Sequence, residues 1–565
     1  MAYRDLQEFL QRLESRSELK RITAPVSPVL EMTEIADRAS KSDGPALVFE
    51  RAEGSLYPVV MNAMGSEKRM CMALGVERLK DIADDIDAYL NIQQYLSLSG
   101  LIKSIPRLFR LLYTLPWHSR LPAPCQQVVE RSPDLSSLPV LHCWPLDAGR
   151  FFTLPLVFTR DAHSRRQNVG MYRMQILDKT TTAMHWHKHK DGSEIYREYA
   201  RTGRKMPVAV ALGCDPAVTY AATAPLPKEI DEMMFAGWLR KRNVRLVKCR
   251  TQDIYVPANA EFVLEGYVDP AEEPVLEGPF GDHTGYYSLA DFYPRFHVTC
   301  ITHKKHPVYP ATVVGKPPME DCYMAKATER IFLPFLRMQI PELKELELPL
   351  EGVFHNCAVV SVRGRYPGAA RKVMNALWGM GQMMYTKMIV TVDESVDVHD
   401  ASAVRDAVLK NVRGRESLIF CEGPLDALDH SSEQALYGCR LGVDATDGPA
   451  NAPENTPGTY AVISVRKESA FDGRKALEDY LPSHPDTFVL CVDDTVDIND
   501  LHTVLWKVFN NIDARRDLVI LGHKIGIDAT KKIREEGLCR DWPDDIVMRE
   551  DIRQRVDERW REYGF

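Results

Sequence analysis

Apolar residues at positions 6, 9, 10 and 13 recur at the three-and-four spacing of a helix with one greasy stripe. The start of the chain therefore reads as a charged amphipathic helix, without the apolar core of a secretory leader. Two β-type stretches follow at 46–49 and 57–61, and then further helices, so residues 1–120 form an α/β N-terminal domain. The segment 101–115, LIKSIPRLFRLLYTL, is basic and apolar at once. It fits a helix lying on a membrane surface. It also fits a helix packed on its own protein with the lysine and arginines in water, which is the reading preferred from sequence. Prolines at 116–124 suggest a linker.

From about 125 to 320 the signal changes to short β-branched and aromatic runs at 154–159, 170–177, 208–212, 245–249, 262–268 and 296–302. One helix, 231–241, is inserted among them. Several short strands with a single helix predict a small barrel over residues 121–325.

The final third repeats itself. AVVSVRGRYPGAARKVMNAL from Ala358 is echoed by AVISVRKESAFDGRKALEDY from Ala461, IVTVDESVDVHD from Ile389 by VLCVDDTVDIND from Val489, and LGVDAT from Leu441 by IGIDAT from Ile525. The spacing between matching motifs shrinks along the copies, chiefly because the second lacks a counterpart of 422–432. The pattern predicts a duplicated βαβ-type module, 326–446 and 457–530, joined by DGPANAPENT and followed by a tail helix within 531–565. The fold class is thus a multidomain α/β and α+β protein: an N-terminal α/β domain, a central split β-barrel, and a C-terminal α/β domain carrying the duplicated module.

Composition narrows the function. A chain of 565 residues with 45% hydrophobic and 27% charged residues suits three or four soluble domains. The net charge of −8 argues against general nucleic-acid binding. Twelve cysteines are scattered with no CxxC pair, which disfavours a zinc ribbon or redox dithiol and suits reduced thiols in a cytoplasmic protein. No apolar run is long enough to span a bilayer.

Three stretches could carry chemistry. In NVGMYRMQ (168–175), strand alternation puts Met171, Arg173 and Gln175 on one face and Tyr172 on the other. An inward Arg173 would need anionic partners; an exposed edge-strand arginine fits equally. In MHWHKHKDG (184–192), His185, His187 and His189 share a face if the segment is a strand. A three-histidine metal site and a polar groove both fit, although histidines along one strand splay and close poorly into a tetrahedron. In LEGPFGDHTGYY (276–287), Glu277 and Asp282 sit five apart among glycines suited to a tight bend. Neighbouring carboxylates share a proton readily, and an arginine beside them would hold one ionised, an arrangement suited to delivering a proton to carbon. Glu232, near a helix start, reads on its own as a surface acid.

Taken together with LPKEIDEMMFAG, GKPPMED and the closing GIDATKK, these motifs resemble the UbiD family of decarboxylases over nearly the whole chain. The resemblance implies prenylated FMN, supplied by a flavin prenyltransferase and seated in the split barrel. It implies Mn²⁺ or Mg²⁺ held by Asn168, His189 and Glu232, with K⁺ nearby. Cofactor contacts would come from Met171, Tyr172, Arg173, His185, Trp186, His187, Lys190 and Asp191. A basic residue before the Gly-hydrophobic-Asp-Ala-Thr motif would also contribute; the duplication offers Arg440 and Lys524, and Lys524 keeps the residue type. The implied catalytic set is Arg173, Glu277 and Asp282, with the cofactor as electron sink while CO₂ leaves and Asp282 as proton donor. FHNCAVVSV, ATERIFLP, EEGLCRDWPDDI and RWREYGF look most like the menaquinone-pathway members. Those imply a 1,4-dihydroxy-6-naphthoate substrate, prenylated or not; the family implies a homo-oligomer, and a lipid-tailed substrate would make 101–115 a candidate for weak membrane-surface contact. Another aryl acid and a non-catalytic flavin-binding scaffold are the competing readings.

Overall fold

A computed structural model describes residues 2–91, 97–164, 166–186, 191–228, 230–364, 366–446, 458–538 and 540–565. The chain divides into two compact units, one of residues 1–328 and 545–565, the other of residues 329–544.

The first unit opens on the expected helix, Leu6–Ser15, which Asp5 caps by accepting the Glu8 N–H at 3.0 Å. Its apolar stripe is buried. Strand Leu19–Val26 runs parallel to Ala46–Ala52, which pairs with Val59–Met61, and that strand pairs with Tyr309–Pro310. The last helix, Glu550–Arg559, returns to pack on helix Glu31–Lys41. There the Tyr563 hydroxyl donates to the buried Glu31 at 2.7 Å, and Arg38 lies over the Trp560 ring.

The central nine-stranded sheet is antiparallel throughout and holds strands Leu156–Arg160, Met206–Leu212, Phe262–Val268 and Arg295–His303. Its edges explain its shape. Strand Gln167–Met171 lies at one end of the sheet, and Met174–Ile176 lies next to the opposite end. Only Tyr172 and Arg173 join them. Two residues span less than about 11 Å, so the sheet curls until its edges almost meet, as in a half-barrel. The single strand expected over 170–177 is therefore broken at Arg173. Three strands form a separate small sheet: Trp117–Ser119 runs parallel to Arg245–Lys248, which pairs with Tyr255–Pro257. The proline-rich stretch is thus pinned into structure and is not a free linker.

Helix Leu98–Arg110 departs from the preferred reading. Its small polar Ser104 is buried, whereas Ile102, Ile105 and Phe109 face outward.

In the second unit each sequence copy builds the same sheet. Strands Cys357–Val362, Met388–Asp393 and Tyr437–Ala445 run parallel, with Leu418–Pro424 antiparallel at the edge. Tyr460–Val465, Phe488–Asp493, Lys524–Asp528 and Leu518–Leu521 repeat the arrangement. The excursion after Leu418–Pro424, absent from the second copy, ties the copies together. Buried Lys387 donates to Asp429 at 2.6 Å, to Ser431 Oγ at 2.7 Å and to the Asn510 carbonyl at 2.9 Å. His430 meets Asn511 Oδ1 at 3.2 Å.

Candidate active site

The LEGPFGDHTGYY bend is two nested hairpins. Val275–Glu277 pairs with Asp291–Tyr293, and Phe280–Gly281 pairs with Tyr287–Ser288. Gly278 at φ +86° and Gly285 at φ +85° take left-handed conformations that a side chain would strain. Two residues given no role by sequence fix the bend from outside. Asp147 accepts the Gly281 N–H at 2.7 Å and the Trp144 N–H at 2.9 Å. Gln175 accepts the Gly278 N–H at 2.9 Å.

The break in the curled sheet aims Arg173 at this bend. Its Nε donates to Glu277 Oε1 at 2.8 Å and its Nη2 to Glu277 Oε2 at 3.2 Å. Nη1 bonds Asp282 Oδ2, and Nη2 also reaches Ser288 Oγ at 3.0 Å. The guanidinium lies 4.7 Å from the centre of the Phe280 ring. Glu277 is fully buried and Asp282 is 8% exposed, so neither acid is solvated decoration. His185 completes the cluster: its Nδ1 lies 3.1 Å from Glu277 Oε2, and its ring is 4.3 Å from that of Tyr293. An ionised carboxylate only accepts, so Nδ1 carries the hydrogen.

The electrostatics correct one expectation. Burial alone would raise both acids, but the Arg173 charge outweighs it. Glu277 is held down at about 2. Asp282 lies well below the usual carboxylate range, with His283 Nδ1 at 3.0 Å adding to the pull. The pair does not share a proton in this arrangement, because one guanidinium sits between the two and satisfies both. Burial depresses His185, with Arg173 adding to the effect, so the imidazole is neutral. Asp147 and Asp321 behave oppositely, each pushed by burial up to about 7. Asp321 is influenced next by His283, which brings the GKPPMED segment to the Asp282 side of the cluster.

A second cluster adjoins Tyr172. The Val169 N–H donates to Glu232 Oε2 at 3.3 Å, so Asn168 and Glu232 lie side by side. Burial pushes Glu232 up to about 7. Asn168 Nδ2 and Trp186 Nε1 are buried without partners among the described residues. The buried Glu232 carboxylate, short of positive charge, suits a divalent cation, and its oxygens with the Asn168 amide oxygen are the hard donors that Mn²⁺ or Mg²⁺ takes, whereas N–H donors such as Asn168 Nδ2 and Trp186 Nε1 suit an anion. Tyr172 is pushed by burial up to about 12, with Asp191 and Glu232 contributing. Asp191 opens helix Asp191–Thr202. His187, His189 and Lys190 lie outside the described residues. Met171 packs at the edge of one apolar cluster and Tyr172 at the edge of another. In the second unit, Lys524 Nζ donates to the Leu481 carbonyl at 2.7 Å. Arg440 is buried over Trp378 and bonds the Met384 carbonyl at 2.7 Å.

Comparison with known proteins follows the same architecture. The 3-octaprenyl-4-hydroxybenzoate carboxy-lyase N-terminal domain matches residues 10–86, its Rift-related domain 118–317, and its C-terminal domain 322–445 and 449–531. The chain belongs to the UbiD carboxy-lyase family. An uncharacterized Archaeoglobus fulgidus protein is 43% identical over 564 residues, covering 100% of this chain and 99% of its own. Among solved UbiD-class structures, HmfF from Pelotomaculum thermopropionicum in complex with FMN is 26% identical with a TM-score of 0.68, covering 84% of this chain and 100% of that one. The vanillic acid decarboxylase of Sedimentibacter hydroxybenzoicus in closed form is 26% identical with a TM-score of 0.69, covering 85% and 99%. The C-terminal UbiD domain matches both copies of the repeat, and the archaeal relative extends across them. The second module is therefore family substance and not a foreign appendage.

Proposed function

We propose that this UbiD-family protein removes CO₂ from an aromatic acid without net oxidation, using prenylated FMN. The observation that carries the reading is the single guanidinium of Arg173 bonded to both Glu277 and Asp282. When bound, prenylated FMN supplies an electron sink for the pair left as the carbon–carboxylate bond breaks. Asn168 and Glu232, with His189 from the resemblance, would hold Mn²⁺ or Mg²⁺ at the cofactor, with K⁺ as an accessory ion. Met171, Tyr172, His185, Trp186 and Asp191 would contact the flavin, and the resemblance gives His187 and Lys190 the same role.

Arg173 orients the acids and offers positive charge to an incoming carboxylate. Neutral His185 fixes Glu277. Asp282 starts ionised, so it must acquire its proton as substrate arrives. A second anion drawn toward Arg173 weakens the hold on Asp282 and repels its charge, and both effects raise its pKa. Asp282 then delivers the proton to the ring carbon that has lost CO₂, which balances the reaction: one C–C bond broken and one C–H bond made.

For substrate, the C-terminal motifs support a 1,4-dihydroxy-6-naphthoate, prenylated or not, in menaquinone synthesis. Likeness to the vanillic acid decarboxylase supports a monocyclic phenolic acid as the second reading. The test is co-expression with a flavin prenyltransferase, oxygen-free purification, then an absorption spectrum, native mass and CO₂ release from both acid classes. Bound prenylated flavin, a homo-oligomer and CO₂ from a dihydroxynaphthoate are expected. A protein that loads the flavin but releases CO₂ from neither acid class would leave the scaffold reading, and one that cannot be loaded with cofactor and Mn²⁺ would overturn the cofactor assignment.

Glu232→Gln keeps the shape of the side chain but removes the charge a cation needs. We expect Mn²⁺ retention after desalting to fall at least about tenfold, since even the outer partners of metal ligands cost that much. Metal content by mass spectrometry checks it; unchanged Mn²⁺ would remove Glu232 from the ligand set.

A further inference from the structure

The helix Leu98–Arg110 and the turns after it carry an inverted pattern. Ile102, Phe109, Leu112 and Leu121 are 60% or more exposed, and Trp117 is 55% exposed, while Ser104 is 2% exposed. An amphipathic helix that packs on its own protein does the reverse, and soluble monomers seldom leave so many large apolar side chains together in water.

Charge gives a second, independent observation. No Asp or Glu occurs between Asp87 and Glu130, although the chain has 79 acids and a net charge of −8. Within that interval lie Lys103, Arg107, Arg110 and Arg120. Arg110 reaches Asp85 at 3.3 Å on the border of the patch, and Arg107 lies over the Tyr89 ring. Arg120 is exposed. The segment is thus apolar at its centre, carries cations and no acid of its own, and meets the acidic helix Lys80–Leu90 at one border through Asp85.

We propose that this face, from Ile102 to Leu121, docks the protein on an anionic lipid surface. Large apolar side chains would enter the headgroup boundary while Arg107, Arg110 and Arg120 meet lipid phosphates. A second copy of the chain is the poorer occupant. A two-fold contact would press the segment's cations against like charge, since the segment has no acid of its own and Asp85 at its border is already paired with Arg110. The proposal stands whichever acid is turned over.

The test is flotation of the purified full-length chain with two kinds of vesicle: phosphatidylcholine alone, and phosphatidylcholine with phosphatidylglycerol in equal parts. Binding to the anionic vesicles, weakened by added salt, is expected. I102S/F109S alters only outward side chains and should weaken vesicle binding at least about tenfold. R120Q should weaken it a few-fold, about what one cation near an anionic surface contributes. Circular dichroism of both variants should match the parent, and R120Q alone still tests the charge if the double variant unfolds. Binding that ignores lipid charge, or variants that float like the parent, would overturn the proposal. So would absence of flotation together with a fall in native mass on I102S/F109S, which would assign the face to contact between copies.

Discussion

Asp282→Asn is expected to lower kcat by about 10²–10⁴-fold, the usual contribution of a positioned general acid, while the protein keeps its fold and its flavin. The geometry separates these outcomes. Asparagine nearly matches the shape of aspartate, and Arg173 would still be held by both oxygens of Glu277 and by Ser288. No buried charge is orphaned, because the lost anion had shared a cation that Glu277 still neutralises. What disappears is the group proposed to collect a proton when substrate arrives and give it to carbon. Steady-state CO₂ release, the flavin spectrum and a melting curve on the same preparation check all three parts. Near-parental turnover would remove Asp282 from the donor role. Loss of flavin would mean the bend also shapes the cofactor seat.

Sequence showed some of this and concealed the rest for physical reasons. The Leu6–Ser15 stripe was readable because its side chains pack at a fixed period, and strand Phe262–Val268 because β-branched and aromatic residues crowd it. The repeat was readable because each copy solves the same packing problem. The break at Tyr172–Arg173 was not. Its cause is the curl of a sheet whose edges are set by strands far along the chain, and local alternation runs straight through it. The convergence of Arg173 on Glu277 and Asp282 spans 104 and 109 residues, and no spacing rule reaches that far. Family resemblance supplied it. Asp147 was missed because one acid in a loop carries no local mark; its work is done on Gly281, 134 residues away. For the segment after Leu98, the sequence declared an amphipathic helix correctly, but amphipathicity does not say which side faces the protein.

Arg173→Ala is the substitution expected to do most harm. Glu277 has no solvent exposure, and with Arg173 gone its remaining ionic partner among the described residues is a neutral imidazole. Breaking a buried ion pair by removing one member typically costs about 3–5 kcal/mol, and here one cation serves two acids. The sign of the pH effect follows from the same charges. Glu277 is held at about 2 against an ordinary value of 4.5. The parent therefore draws full stability from it above about pH 4.5 and loses that contribution as pH falls through about 2. Without Arg173, burial becomes the leading influence and raises Glu277 above its ordinary value, so the variant should lose stability as pH rises above about 4.5. Urea unfolding at several pH values should show a parent that weakens toward acid and a variant whose pH dependence is reversed in sign. Activity should vanish with it, since neither the orientation of Asp282 nor the positive charge offered to a substrate carboxylate survives. Arg173→Lys separates the two roles. A point charge can neutralise Glu277 but cannot hold two acids in a planar fork, so stability should recover in large part while turnover stays low. A lysine variant with parental turnover would show that charge alone suffices and that the fork geometry does not matter.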